Sequence, residues 1–270
     1  MDIKSTIKLN NGVEMPVLGL GTWESSPMDV GNAILWALEA GYRHIDTAAI
    51  YGNEKEIGEA IKKSGVNRKD IFITTKLWNS DHDNPIRAYN ESLKRLQVDY
   101  VDLYLMHWPV EKIRNNTWKY MEKLYKQGKC KAIGVSNFTI RHLKELFQHT
   151  KIMPAVNQVE FSPYLFQKEL LEFCNEKEIA LEAYSPLTRA KKLNDPKLAA
   201  IAKKYSKTPA QILIRWVLQH NMIVIPKSIN KERIKENANV FDFNIEEYDM
   251  KKLDLFNENF RVCWNPDEIL

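Results

Sequence analysis

Asp46, Tyr51, Lys76 and His107 are the residues of this 270-residue chain whose types and spacing suit proton transfer. Asp46 closes the stretch Gly41-Tyr-Arg-His-Ile-Asp46, which reads as a buried strand opening into a loop that carries Tyr51. A lone buried carboxylate is costly, so Asp46 requires a cation from a neighbouring element. Lys76, at the end of the next apolar stretch, can supply it. A tyrosine hydroxyl is a poor acid at neutral pH, with an ordinary pKa of about 10. An ammonium beside Tyr51 is expected to lower that value towards a useful general acid. His107 ends the stretch after that, where an imidazole can donate to a carbonyl oxygen and orient it. The bland alternative has Asp46 bonded to loop amides, Tyr51 packed with its hydroxyl outward, and Lys76 and His107 as satisfied structural groups. Four such residues at successive strand ends favour the chemical reading.

The elements that must position them alternate. Thr6–Leu9, Asn10-Asn-Gly12 and Val13–Met15 read as a small hairpin ahead of the main fold. Eight strands are expected, at 17–22, 44–46 (the end of a strand), 71–76, 101–107, 132–136, 155–160, 180–184 and 223–226. Amphipathic helices are expected between them, at about 28–40, 85–96 and 167–178 among others. Another should start at Asn53 as N-cap and stop at Gly65. Nearly continuous apolar strands belong to a parallel sheet covered by helices. An open doubly wound sheet and a closed (β/α)8 barrel both satisfy that pattern. The dinucleotide fingerprint GxGxxG is missing, because Gly19-Leu-Gly21 runs into Thr-Trp-Glu. The strand ends Asp46, Lys76, His107 and Ser136 recur every 30, 31 and 29 residues. A barrel of eight units predicts about 31. The expected fold is therefore a (β/α)8 TIM barrel forming one domain over 1–270, with a hairpin at 1–16 and a tail at 260–270. Its active site belongs at the C-terminal strand ends.

Composition narrows the class. A net charge of +4 without long basic blocks argues against nucleic acid and suits a local anion site. Three scattered cysteines (Cys130, Cys174 and Cys263) form no CxxC pair and suggest free thiols in a reducing compartment. With no apolar signal core and no membrane-length apolar run, a cytoplasmic protein without membrane partners is expected. Six histidines without HExxH or a ligand cluster argue against a catalytic metal.

Three long motifs, in order, resemble the signatures of the aldo-keto reductase family. They are Gly41–Gly58, Met121–Phe138 (Met-Glu-Lys-Leu-Tyr-Lys-Gln-Gly-Lys-Cys-Lys-Ala-Ile-Gly-Val-Ser-Asn-Phe) and Ile225–Asn237 (Ile-Pro-Lys-Ser-Ile-Asn-Lys-Glu-Arg-Ile-Lys-Glu-Asn). The resemblance covers essentially the whole chain. It implies NADPH-dependent reduction of aldehydes and ketones, with Tyr51 as proton donor, Asp46 and Lys76 tuning it, and His107 positioning a small-molecule carbonyl substrate. It also implies that Ser136, Asn137 and Gln158 hold the nicotinamide carboxamide and that Tyr184 stacks on the ring. Gly21, Thr22, Trp23, Asp46, Ser185 and Leu187 would follow the rest of the cofactor. Lys227, Ser228 and Arg233 would take the 2′-phosphate, with Glu236 and Asn237 at the adenine. Independently, Lys227 and Arg233 lie just past the last strand at a helix start, where barrels often bind phosphate.

Trp23, Trp78 and Trp108 follow strand ends and are expected to wall the substrate cleft, whereas Trp36 and Trp216 lie on helical faces and read as core. The short segment after His107 (Trp108–Thr117) and the short tail after Trp264 are similar to compact microbial reductases with an open cleft, the diketogluconate and aldehyde reductases. Where relatives often have a glycine, this chain has Thr188, and Arg189, Lys191 and Lys192 are expected in a solvated loop. A monomer is expected. The competing functional class is a non-catalytic, NADPH-binding or structural protein on the same barrel. A phosphosugar isomerase is disfavoured by the three tryptophans.

Overall fold

A computed structural model describes residues 1–270. Two short strands, β1 (Thr6–Lys8) and β2 (Glu14–Pro16), pair antiparallel, with Ile7 opposite Met15. Eight strands then form one parallel sheet: β3 (Gly19–Gly21), β4 (His44–Asp46), β5 (Phe72–Leu77), β6 (Val101–Met106), β7 (Cys130–Ser136), β8 (Val156–Glu160), β9 (Ala180–Tyr184) and β10 (Ile223–Val224). Each pairs with its neighbour in sequence. The ring is closed between its ends by parallel bridges Leu18–Val224 and Gly21–Lys227, and Val224 N donates to Val17 O at 2.9 Å. The expected closed barrel with an N-terminal hairpin is the observed fold.

Helices follow the strands: α1 (Pro27–Glu39), α2 (Glu54–Ser64), α3 (Pro85–Leu96), α4 (Arg114–Lys126), α5 (Ile140–Phe147), α6 (Lys168–Glu176), α7 (Pro196–Lys204), α8 (Pro209–Gln219), α9 (Lys231–Ala238) and α10 (Glu247–Asp254). Side-chain oxygens of Ser26, Asn84, Thr208 and Asn230 accept from the first-turn amides of α1, α3, α8 and α9. Gly65 ends α2 with φ 71°, a left-handed conformation that glycine adopts without steric cost. Two strands are shorter than expected. The ladder of the first begins at Gly19, and the last stops at Val224 because Pro226 has no N–H to donate.

The apolar side chains divide into two groups. A large cluster, with Ile45, Ile73, Tyr104, Ile133 and Leu181 among its strand residues, packs outward against the helices. A smaller one fills the base of the barrel interior with Phe72, Leu103, Leu105, Val156 and Ile223, and Leu9 and Met15 of the hairpin region plug it from below. The hairpin therefore closes the N-terminal end of the barrel. Above that plug the interior turns polar, with His44, Asp46, Thr74, Lys76, Gln158 and Glu182 all buried. Of the two tryptophans read as core, Trp216 is fully buried and donates to Asp254 Oδ1 at 2.8 Å, and Trp36 is half-buried against the helical layer.

Candidate active site

The four residues read as chemical meet at the C-terminal mouth. The register sets Asp46 beside Thr74 and Lys76 beside Leu105, so the two charged side chains come from adjacent strands at nearly one level. Lys76 Nζ donates to Asp46 Oδ1 at 2.7 Å, to Thr47 O at 2.9 Å and to the Tyr51 hydroxyl at 3.4 Å. The cation required by Asp46 is Lys76. The His107 ring meets Tyr51 edge-on at 5.7 Å between centroids and Trp78 at 5.1 Å. No protein group hydrogen-bonds the His107 imidazole, whose Nδ1 is fully buried.

One expectation about these groups is overturned. Burial pushes the Tyr51 hydroxyl up to about 12; Lys76 pulls it down and Asp46 pushes it up again. The ammonium does not win because the cost of burying a phenolate outweighs it, and Asp46, paired with Lys76 at 2.7 Å, adds to the upward push. Burial pulls the Lys76 pKa down, yet Asp46 and Tyr51 outweigh it and raise it. The imidazole of His107 is held well below its ordinary range by burial and by Lys76, so it is neutral at pH 7. Tyr51 is thus a fully protonated acid next to a fully protonated lysine.

Asn53 was expected to cap α2, but its side chain makes no cap hydrogen bond. Its Nδ2 donates to Thr22 O (3.0 Å) and Ser25 O (3.2 Å), and its Oδ1 accepts from Thr47 Oγ1 at 2.9 Å. It ties the loops after β3 and β4 together on either side of Tyr51. Glu54 next to it is also buried, taking Thr75 Oγ1 and Arg95 Nε at 2.6 Å each. Neither role was read from the sequence.

Four of the residues that the resemblance places along a cofactor lie on or just past the adjacent strands β7, β8 and β9. Ser136 Oγ donates to Gln158 O (2.9 Å), Asn137 Nδ2 to His107 O (3.0 Å), and the Tyr184 hydroxyl to Asn137 Oδ1 (2.7 Å). Gln158 Nε2 donates to Asp46 Oδ2 and to Glu182 Oε2, both at 2.8 Å. Thr22 donates to Asp46 O from both its amide and its hydroxyl, and Gly21 has no room for a side chain, since a Cβ would lie 2.8 Å from Ile225 O. The loop from Ser185 through Leu187 to Lys192 holds four non-glycine residues at positive φ (Ser185, Thr188, Arg189 and Ala190). Its charges are not merely solvated: Arg189 pairs with Glu24 at 2.7 Å and lies 4.1 Å over the Trp23 ring, and Lys192 pairs with Glu258.

At the other end of the run, Lys227 and Arg233 are exposed and form no ion pair, although Lys231 and Lys235 near them pair with Glu39 and Glu232. Lys227 Nζ reaches only Glu24 O at 3.2 Å. Ser228 accepts from Asn230 N at 3.1 Å, and Asn237 is buried. Glu236 is taken by the Thr208 hydroxyl at 2.7 Å. Two uncommitted cations at the start of α9 fit a polyanionic cofactor, because they and the helix terminus favour the same sign of charge. No group of His, Cys, Asp and Glu is arranged to hold a metal ion.

The walls are as expected in part. Trp78 borders His107, whereas Trp108 is buried and packs on Trp264 of the tail at 5.7 Å. Trp264, exposed, thereby joins the rim; the sequence reading had not assigned it a role. Val262 N and Cys263 N donate to Glu160 at the end of β8, which fastens this part of the tail to the barrel.

The polar interior carries a stability signature. Burial and the neighbouring Asp46 push the Glu182 carboxyl from 4.5 up to about 8. The unfolded chain then binds fewer protons than the folded one between those values, so this group costs stability as pH rises through that window. Burial and Lys76 hold His44 down at about 3 instead of 6.5, so its contribution is lost as pH falls from 6.5 towards 3. In thermal melts the stability of the native chain relative to Glu182→Gln is expected to fall as pH rises from 4.5 to 8, because only the native chain carries this group. Parallel pH curves for the two proteins would contradict this.

Comparison with known proteins agrees with the geometry. The model of the aldo/keto reductase family matches residues 17–258. Glyoxal reductase of Bacillus subtilis is 50% identical, the alignment covering 99% of this chain and 98% of that protein. The solved structure of an aldo-keto reductase from a Medee basin deep-sea metagenome library superposes with TM-score 0.95 at 48% identity, over 98% of this chain and 99% of that one. That of a Bombyx mori aldo-keto reductase in complex with NADP does so with TM-score 0.92 at 39% identity, over 97% and 95%. Closed parallel barrel, tyrosine–lysine–aspartate mouth and family match together mean that this chain belongs to the aldo/keto reductase family and is an NADPH-dependent carbonyl reductase.

Proposed function

We propose that the chain reduces small activated aldehydes, 2-oxoaldehydes of the glyoxal type foremost, with Tyr51 as the proton donor. The observation that carries the reading is the chain Tyr51–Lys76–Asp46 at the barrel mouth. NADPH, held by the residues named below, would supply the hydride for the carbonyl carbon. His107, neutral and without a protein partner, is free to hydrogen-bond the carbonyl oxygen and direct it to Tyr51. Tyr51 gives its proton to that oxygen as charge develops there. Lys76 stabilises the phenolate left behind, and Asp46 and Thr47 O keep the ammonium in place. Gln158, Ser136 and Asn137 are the groups we assign to the carboxamide, Tyr184 to the ring face, and Lys227, Ser228 and Arg233 to the 2′-phosphate. Thr22, Trp23, Ser185 and Leu187 border the stretch between, with Asn237 and Glu236 at the adenine.

Small substrates are supported by the rim and by the 50% identity to a glyoxal reductase. Trp78 and Trp264 offer apolar surface, but the segment from Trp108 to the start of α4 at Arg114 is too short to enclose a large ligand, and enclosure is how a pocket gains affinity. Catalytic efficiency across glyoxal, an aromatic aldehyde and a steroid ketone is expected to fall by about tenfold or more with size. A steroid preferred by a wide margin would refute the open-cleft argument. The unpaired thiols of Cys130, Cys174 and Cys263 support a cytoplasmic setting. The presence of every site residue on one chain supports a single domain working as a monomer.

A further inference from the structure

Glu182 has no part in the mechanism above, yet it is fully buried in the middle of β9. Parallel register puts it level with Gln158 on β8 and Ile223 on β10. The polar and charged groups that face it are Gln158 from β8, His44 and Asp46 from β4, and Lys76 from β5, and Thr74 of β5 in turn bonds His44 at 3.1 Å. Its Oε2 accepts from Gln158 Nε2 at 2.8 Å, while its Oε1 has no hydrogen bond and lies 3.6 Å from His44 Nε2. The chain makes space for this arrangement. A Cβ on Gly19 would lie 2.5 Å from His44 Nδ1, so only glycine there lets His44 sit behind the glutamate. An apolar side chain would fill the same volume at less cost, which makes the carboxyl a feature in need of a reason.

Gln158 supplies the reason. A side-chain amide has two N–H donors and one carbonyl acceptor. Both donors are spent on carboxyl oxygens, one on Asp46 and one on Glu182. With the amide turned over, its carbonyl oxygen would face the Asp46 carboxylate, so Asp46 decides the flip on electrostatic grounds. One hydrogen bond would pin a single N–H and leave the plane free to swing; two fix the plane. The carbonyl oxygen is then aimed away from the acids, with no partner in the protein.

We propose that Glu182 is a positioning residue which, by holding the second N–H of Gln158, fixes the acceptor that orients the nicotinamide carboxamide of the cofactor. The proposal rests on the assignment of Gln158 to that carboxamide. A carboxyl that keeps its proton to about pH 8 accepts at Oε2 without adding a second charge beside Asp46, which explains why the device is tolerable inside the barrel.

The test uses dissociation constants, read from tryptophan fluorescence, for NADPH and for 2′,5′-ADP, which lacks the nicotinamide. Glu182→Met keeps the length of the side chain and removes the carboxyl acceptor; Glu182→Leu is a second apolar variant that must agree with it. Both are expected to bind NADPH about tenfold more weakly, roughly 1.4 kcal/mol, and 2′,5′-ADP within about twofold of the native protein. Glu182→Gln retains an acceptor and is expected to restore NADPH affinity to within about twofold. Gln158→Leu should weaken NADPH at least as much as Glu182→Met. Native NADPH affinity in both apolar variants, with Gln158→Leu impaired, would overturn the role of Glu182 alone. Native affinity in Gln158→Leu would overturn the assignment beneath it. Equal weakening of NADPH and 2′,5′-ADP would make Glu182 a structural residue and overturn the proposal.

Discussion

Tyr51→Phe is expected to lower the rate of carbonyl reduction by about 10²–10⁴-fold, the usual worth of a positioned general acid, while NADPH affinity stays within about twofold. The hydroxyl is the only atom removed, and the ring keeps its edge contact with His107 and its place 5.0 Å from Lys76 Nζ. Tyr51 is pushed up to about 12, so it stays protonated through the neutral and alkaline range, and no loss of acid is expected from it below pH 11 in the reduction direction. His107 is neutral well below pH 6.5 and should add no break near neutrality. Lys76→Met should approach the same loss by a different route, since it removes the charge that stabilises the phenolate. Steady-state rates, single-turnover rates and cofactor titrations of the native and Tyr51→Phe proteins decide the matter. A variant with near-native turnover would take Tyr51 out of the mechanism.

Cofactor choice should respond almost as strongly. NADPH differs from NADH by one phosphate, and discrimination must come from groups that meet that dianion. Lys227 offers a point charge and Arg233 a planar fork of donors, both exposed and neither held in an ion pair. Hydrogen bonds to charged groups contribute roughly 1.5–3 kcal/mol each. Discounted for exposure, two of them give a preference for NADPH of order 10²-fold, since about 1.4 kcal/mol is tenfold. The double variant Lys227→Met, Arg233→Met should bring the two dissociation constants to within a few-fold of each other, chiefly by weakening NADPH. Because the contact is ionic and near the surface, raising salt should shrink the native preference. Equal native affinities for NADPH and NADH, or strong NADPH preference in the double variant, would show that the phosphate is met elsewhere.

Much of this architecture was legible in the chain because strand ends recur with the period of one barrel unit, and chemistry was concentrated at those ends. Asp46 demanded a cation, and adjacency of strands put Lys76 there at 2.7 Å. The same argument applied to Glu182, a carboxyl inside the apolar strand Ala180-Leu-Glu-Ala-Tyr184, would have found the network around Gln158. The apolar continuity of that strand masks its acid. Asn53 misled for a different reason: its type and position match a helix cap, and only the folded loops reveal that Thr22, Ser25 and Thr47 compete for its amide. The direction of the Tyr51 shift was illegible because it depends on how completely Asp46 cancels Lys76 and on how deeply the hydroxyl is buried, neither of which spacing encodes. The pairing of Arg189 with Glu24 joins residues far apart in sequence through two loops, and no periodic pattern reports on loops.

The central claim is that the barrel mouth turns over a carbonyl and does not merely hold a dinucleotide. The most direct measurement incubates purified protein with NADPH and glyoxal, following nicotinamide absorbance and the alcohol formed. Loss of one NADPH per alcohol formed, catalytic in enzyme and slowed about 10²–10⁴-fold in Tyr51→Phe, is the expected result. Tight NADPH binding with no consumption across small aldehydes, aromatic aldehydes and ketones would contradict the account.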